Sequence, residues 1–131
     1  MKKFVTLLLC MLPVSLFAQV NDGIRQAMDN YDYETVVTLI EPDCQDSLLL
    51  ITKAQALKAM NRYPEAIGVL NSLILKDSTN TKVLIDLAEC YKLTGNSRRA
   101  ANCYQKAMNL QPENKFLPVA VHTLFISFRR L

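Results

Sequence analysis

Residues 81–114 read TKVLIDLAECYKLTGNSRRAANCYQKAMNLQPEN, and the fold turns on this stretch. Leu84, Leu87, Ala88 and Tyr91 recur at helical spacing and fall on one face of a first helix. Ala100, Tyr104 and Ala107 do the same on a second. Small residues at Ala88 and Ala100 let the two helices approach closely, while Leu84, Tyr91 and Tyr104 fill the space around that contact. Gly95 suits the left-handed residue that commonly ends a helix. Asn96 or Ser97 can cap the second helix, and Pro112 stops it, because proline cannot continue the hydrogen-bond ladder. Spacing alone therefore gives an antiparallel helical hairpin.

The set Leu84, Leu87, Ala88, Tyr91, Ala100, Tyr104, Ala107 and Pro112 resembles the tetratricopeptide repeat (TPR), a helix–turn–helix unit of about 34 residues. Leu84 stands where that family most often has Trp, and Ala88 where it has Gly or Ala. The resemblance implies an all-α fold, with TPR-type antiparallel hairpins stacked in a short right-handed superhelix.

One repeat length upstream, the same positions hold Leu50, Lys53, Ala54, Leu57, Ala66, Leu70, Leu73 and Ser78. Ala54 and Ala66 keep the small contacts, Asp46 or Ser47 can cap the first helix, and Pro64 sits where the second begins. Two residues depart from the pattern. Lys53 replaces a buried Leu and is expected to lay its stem along the surface with its charge in water. Ser78 replaces the terminal Pro. Further upstream, residues 21–30 form a short helix with Ile24, Ala27 and Met28 inward. Residues 33–41 form another, with Val36, Val37 and Ile40 inward, ended by Pro42. Tyr33 precedes Tyr63 by 30 residues, so this degenerate first repeat or N-terminal cap has a shortened connection.

The expected organisation has four parts. A signal peptide spans 1–18, a degenerate N-terminal helical pair 19–45, two repeats 46–114 (47–80 and 81–114), and an atypical apolar segment 115–131. Lys2 and Lys3 precede the apolar run from Phe4 to Phe17, and Leu16-Phe17-Ala18 before Gln19 is the expected cleavage site. The run is short for a membrane span and is interrupted by Pro13, with an uncleaved anchor as the alternative. Leu8-Leu9 before Cys10 lacks the small residue of a lipoprotein signal. The short basic start looks bacterial, which places the mature chain in a periplasm. In the C-terminal segment, Pro118 falls where Leu84 stood and His122 where Ala88 stood. Apolar residues occur all round, so helix and strand both stay open. Three readings follow: a terminal helix capping the array, a segment docking on a partner or membrane surface helped by Arg129 and Arg130, or the start of a truncated longer array.

Charge and chemistry narrow the function. Half the residues are hydrophobic, and removing Lys2 and Lys3 lowers the net charge from +3 to +1, no basis for binding nucleic acid. Residues 19–50 set Arg25 against Asp22, Asp29, Asp32, Glu34, Glu41, Asp43 and Asp46, while the downstream balance is basic. That asymmetry can orient a partner or favour head-to-tail association, or it can simply be the wet face of amphipathic helices. Cys44, Cys90 and Cys103 remain in the mature chain. They are an odd set that makes no disulfide framework; Cys90 and Cys103 could bridge, but small buried thiols are the preferred reading. His122 is the only histidine. No nucleophile elbow, phosphate loop or HExxH is present, so no enzyme activity, cofactor or metal is expected. Asp86 and Glu89 are expected to face solvent near Lys82 and Lys92.

The resemblance implies that first helices of successive repeats line a concave groove. Its partner-binding candidates here are Ile51, Gln55, Lys58, Lys82, Ile85, Glu89 and Lys92, with Leu48 beside them. Scattered positive charge over an apolar floor suits an acidic or amphipathic segment. Some relatives grip a terminal carboxylate with Lys, Asn and Arg. At the matching places this chain has Ile51 and Gln55, with Thr52 and Asp86 beside them, so that clamp is not expected. The functional expectation is a non-enzymatic protein–protein interaction or scaffold module of a bacterial envelope, binding a partner peptide or helix. Nucleic acid and an integral span in the mature chain are not expected, and self-association through the C-terminal tail is open. The alternative is an N-terminal or truncated part of a longer envelope protein, such as a receptor's sensor region or a peptidase's accessory region.

Overall fold

Side-chain oxygens at regular intervals start the helices. Asp46 Oδ1 accepts the Leu48 and Leu49 amides at 2.8 and 3.5 Å, Asn80 Oδ1 that of Val83 at 3.2 Å, and Asn114 Oδ1 that of Phe116 at 3.1 Å. These three caps stand one repeat length apart. Asp32 and Asn96 cap the second helices of the first and third hairpins through the Thr35 and Arg99 amides, while the helix starting at Tyr63 has Pro64 in its first turn and no side-chain cap. Each cap supplies an acceptor to amides that the helix itself leaves unpaired. In the computed structural model, which describes residue 16 and residues 18–129, the result is seven helices and no strand. They are α1 (18–29), α2 (Tyr33–Leu39), α3 (Ser47–Ala59), α4 (Tyr63–Lys76), α5 (Thr81–Leu93), α6 (Ser97–Leu110) and α7 (Phe116–Arg129). Most of the expected signal peptide, with Lys2, Lys3, Cys10 and Pro13, lies outside the described residues, as do Arg130 and Leu131. No helix among the described residues is long and apolar enough to cross a membrane.

Three identical turns convert the helices into hairpins. Tyr31, Asn61 and Gly95 are left-handed, with φ of 59°, 61° and 80°. After each, the next amide donates to a carbonyl deep in the preceding helix: Asp32 to Ala27, Arg62 to Leu57, and Asn96 to Tyr91, at 2.8 to 2.9 Å. The left-handed residue itself donates to Met28, Lys58 or Lys92. This double bond satisfies carbonyls that would otherwise be orphaned at the helix end. The α1–α2 pair uses the same turn as the two clear repeats, so it is a hairpin of the same kind whose shortening lies after the turn.

That shortening is in α2, which ends at Leu39. Lys53 reaches across from α3 and donates to the Ile40 carbonyl at 3.0 Å. The expected solvated Lys53 head is therefore corrected: it closes the frayed end of α2. Lys76 similarly holds the Gln45 carbonyl at 2.9 Å. The missing proline at Ser78 is replaced by Asp77, whose Oδ1 accepts the Thr79 amide and hydroxyl at 3.0 and 2.6 Å. Hydrogen bonding there does what proline does in residues 81–114.

The main core joins α3 to α7 through Leu50, Ala54, Leu57, Ala66, Leu70, Leu84, Leu87, Ala88, Ala100 and Tyr104. Ala66, Ala88, Ala100 and Ala107 have no exposed surface, as close helix approach requires. A smaller core of Ile24, Ala27, Val36, Ile40 and Ala56 seats the first hairpin on α3.

The C-terminal segment is a helix, which settles the choice left open between helix and strand. Leu117 and Leu124 are buried, one repeat length beyond the buried Val83 and Cys90. Ala56, a further repeat length upstream of Cys90, is buried likewise and packs into the core of the first hairpin. The repeat period thus continues to the end of α7, although the motif residues do not. Pro118, His122 and Phe125, at the positions of Leu84, Ala88 and Tyr91, are exposed.

Candidate functional site: the face shared by the first helices

Lys58 on α3 sets the geometry of this face. Its Nζ donates to Asp86 Oδ1 at 2.8 Å and to Glu89 Oε2 at 2.9 Å, both on α5. First helices of successive hairpins therefore lie side by side, with their outer side chains on one surface. Lys58 and Asp86 are four-fifths buried, while Glu89 keeps 47 % of its side-chain surface exposed. Burial alone would lower the Lys58 pKa, but the two carboxylates outweigh it and hold the ammonium above the usual lysine range.

This corrects two sequence expectations. Asp86 and Glu89 do not simply face solvent near Lys82 and Lys92, because they clasp Lys58. Lys58, in turn, is not a free positive charge but the centre of a clasp in which one ammonium faces two carboxylates, leaving the cluster net negative. The motif gave no warning of it, since the pairing joins residues on different hairpins. The free basic groups of the face are Lys82 and Lys92, both exposed and without an ion pair among the described residues.

Ile51 and Ile85 are half-buried against the main core and offer their outer edges as a floor. Gln55 is exposed between them and Leu48 stands proud at 71 % exposure. Of the expected residues, the structure joins Lys58 to Glu89 directly, sets Ile51 and Ile85 against the main core, and leaves Gln55, Lys82 and Lys92 exposed on the same two helices. Sequence reasoning did not place α7 in the repeat register. The signal that would have done so is Asn114, which repeats the caps at Asp46 and Asn80.

The remaining reactive groups are quiet. Cys44, Cys90 and Cys103 are free thiols. Burial pushes the Cys90 and Cys103 thiols up, away from the thiolate that chemistry would need. Among the described residues no group of His, Cys, Asp and Glu is arranged to hold a metal ion.

Stacked helical hairpins with aligned first helices define a tetratricopeptide-repeat protein. The chain belongs to the family described as Psidin, N-terminal TPR repeats region, whose model matches residues 26–131. It is 35 % identical over 86 residues to the DnaJ homolog subfamily C member 7 homolog of Dictyostelium discoideum, a match covering 64 % of this chain and 16 % of that protein. The chain thus spans about a sixth of that relative's length. Among solved structures it resembles the type III secretion translocator chaperone SycD of Yersinia enterocolitica, with a TM-score of 0.75 and 18 % identity over 92 % of this chain and 93 % of that one. SycD in complex with a peptide of the translocator YopD gives 0.68 and 20 % over 88 % and 93 %. The first TPR of Spaghetti (RPAP3) bound to an HSP90 peptide gives 0.69 and 15 % over 88 % and 92 %.

Proposed function

We propose that this protein is a non-enzymatic interaction module that holds a peptide or helix of a partner protein on the shared face of its first helices. The observation that carries the reading is the alignment of Ile51 and Ile85 as an apolar floor on adjacent helices locked together by Lys58. The fold relatives SycD and RPAP3 were solved with peptides, which supports the same use of this fold here. The test is panning of residues 19–131 against a random peptide library, followed by titration of enriched peptides. Gln55→Arg and Ile85→Asp should weaken those peptides strongly. Enrichment of peptides indifferent to both substitutions would count against the reading.

Export to a bacterial periplasm belongs to the proposal and rests on Lys2, Lys3 and the apolar run ending at Ala18. N-terminal sequencing of protein made from the full reading frame in a bacterial host tests it: a new terminus at Gln19 in the periplasmic fraction is expected, and retention of Met1 in the cytosol contradicts it. Self-association through the tail also belongs here. Its basis is the open side of α7, where Phe125 borders a cleft of about 450 Å³ with Ser97, Arg98, Ala101 and Asn102. Light scattering should show a mass that rises with concentration and falls back to the monomer in Phe125→Asp. A concentration-independent monomer would dismiss it.

A further inference from the structure

We propose that α7 supplies a third rung of the groove, and that the groove takes an apolar segment bearing acidic residues from another protein. The inference rests on the groove reading above and names its ligand class. The repeat period places Phe116 at the position of Leu48 and Lys82, and Val119 at that of Ile51 and Ile85. It places Ile126 at that of Lys58 and Lys92. Ala56, Cys90 and Leu124, one repeat length apart, are all buried in keeping with this alignment, and Ala56 packs into the core of the first hairpin. Phe116 is 85 % exposed, Val119 65 % and Ile126 48 %. Single exposed apolar residues are ordinary on protein surfaces, but a contiguous row continuing an apolar floor marks an interaction surface.

Charge selects the occupant. The Asp86 and Glu89 carboxylates are engaged by Lys58, so the unengaged groups beside the floor are Lys82 and Lys92. On this face Lys58, Lys82 and Lys92 stand against Asp86 and Glu89, three positive charges to two negative, a net of +1. A segment carrying acidic residues gains from that field, whereas a basic one is repelled.

The test uses fluorescein-labelled peptides of about ten residues. One alternates Leu with Glu, one Leu with Lys, and one Ser with Glu. Anisotropy titration of residues 19–131 should show binding of the Leu–Glu peptide only. The Val119→Asp, Ile126→Asp pair should weaken it roughly tenfold or more, while Phe125→Asp on the other side of α7 leaves it unchanged. Lys82→Glu with Lys92→Glu should remove the preference over the Leu–Lys peptide. If Gln55→Arg weakens the peptide but the α7 pair does not, the third rung is wrong and the groove reading stands. If neither matters, or no peptide binds, both are wrong. Co-sedimentation with anionic phosphatidylserine vesicles, lost in the α7 pair, with no peptide binding, would overturn the proposal in favour of a membrane surface.

Discussion

Replacing Lys58 by Met probes the clasp that aligns the first helices. Met keeps most of the aliphatic stem, so the loss is electrostatic rather than a cavity. A hydrogen bond between charged groups contributes about 1.5–3 kcal/mol when shielded and well under 1 kcal/mol at the surface. Asp86, four-fifths buried, belongs near the lower end of the first range, and the half-exposed Glu89 in the second. Together they give about 2 kcal/mol, or roughly 8 °C in melting temperature for a domain of this size. Urea denaturation of wild type, Lys58→Met, Asp86→Leu and the double variant closes the cycle. The double variant should be more stable than the sum of the single losses, because it removes a carboxylate that would otherwise lose its partner. Alkaline pH adds a second check. The folded Lys58 pKa lies above its ordinary 10.5, so its contribution is fully present below that pH and is lost as pH rises through the folded value. The wild-type advantage over Lys58→Met should be flat up to about pH 10 and shrink beyond it. A loss under about 0.5 kcal/mol, or strict additivity with Asp86→Leu, would refute the clasp as a structural element.

Ala88→Leu should cost about 1–3 kcal/mol in a denaturant titration, since Ala88 has no exposed surface and sits where α5 meets α6. Gly95→Ala should cost about 1 kcal/mol from backbone strain alone. Its φ is +80° and no atom lies within 4 Å of the added carbon, so steric crowding contributes nothing. Asn80→Ala, which removes the cap of α5, should cost about 1 kcal/mol by the same titration. In a thiol-reagent time course, the half-buried Cys44 should label ahead of Cys90, which has no exposed surface and a thiol raised by burial. Equal rates would mean that α5 opens readily.

The hairpins of residues 47–110 were legible because each needed residue, from Ala54 to Tyr104, recurs at a fixed spacing that only one packing satisfies. The first hairpin was legible as helices, but its kinship with the others appears only in the left-handed Tyr31, a residue type that does not advertise such a turn. Lys53 and Lys58 were misjudged for one reason. Both act across hairpins, and helical periodicity within a segment says nothing about the neighbour a long side chain will reach. The helix of residues 116–129 was obscured because its motif positions hold Pro118 and His122. Those residues are tolerated where the face they occupy is exposed, and the period survives instead in Asn114, Leu117 and Leu124. The candidate site was half legible: its floor followed from the repeat, its charge balance did not.

Amide chemical shifts of residues 19–131 during titration with the Leu–Glu peptide test the central claim most directly. The account predicts perturbations concentrated on α3, α5 and α7 at Ile51, Gln55, Ile85 and Val119. Perturbations concentrated instead on the opposite surface, along α4 and α6, would contradict it.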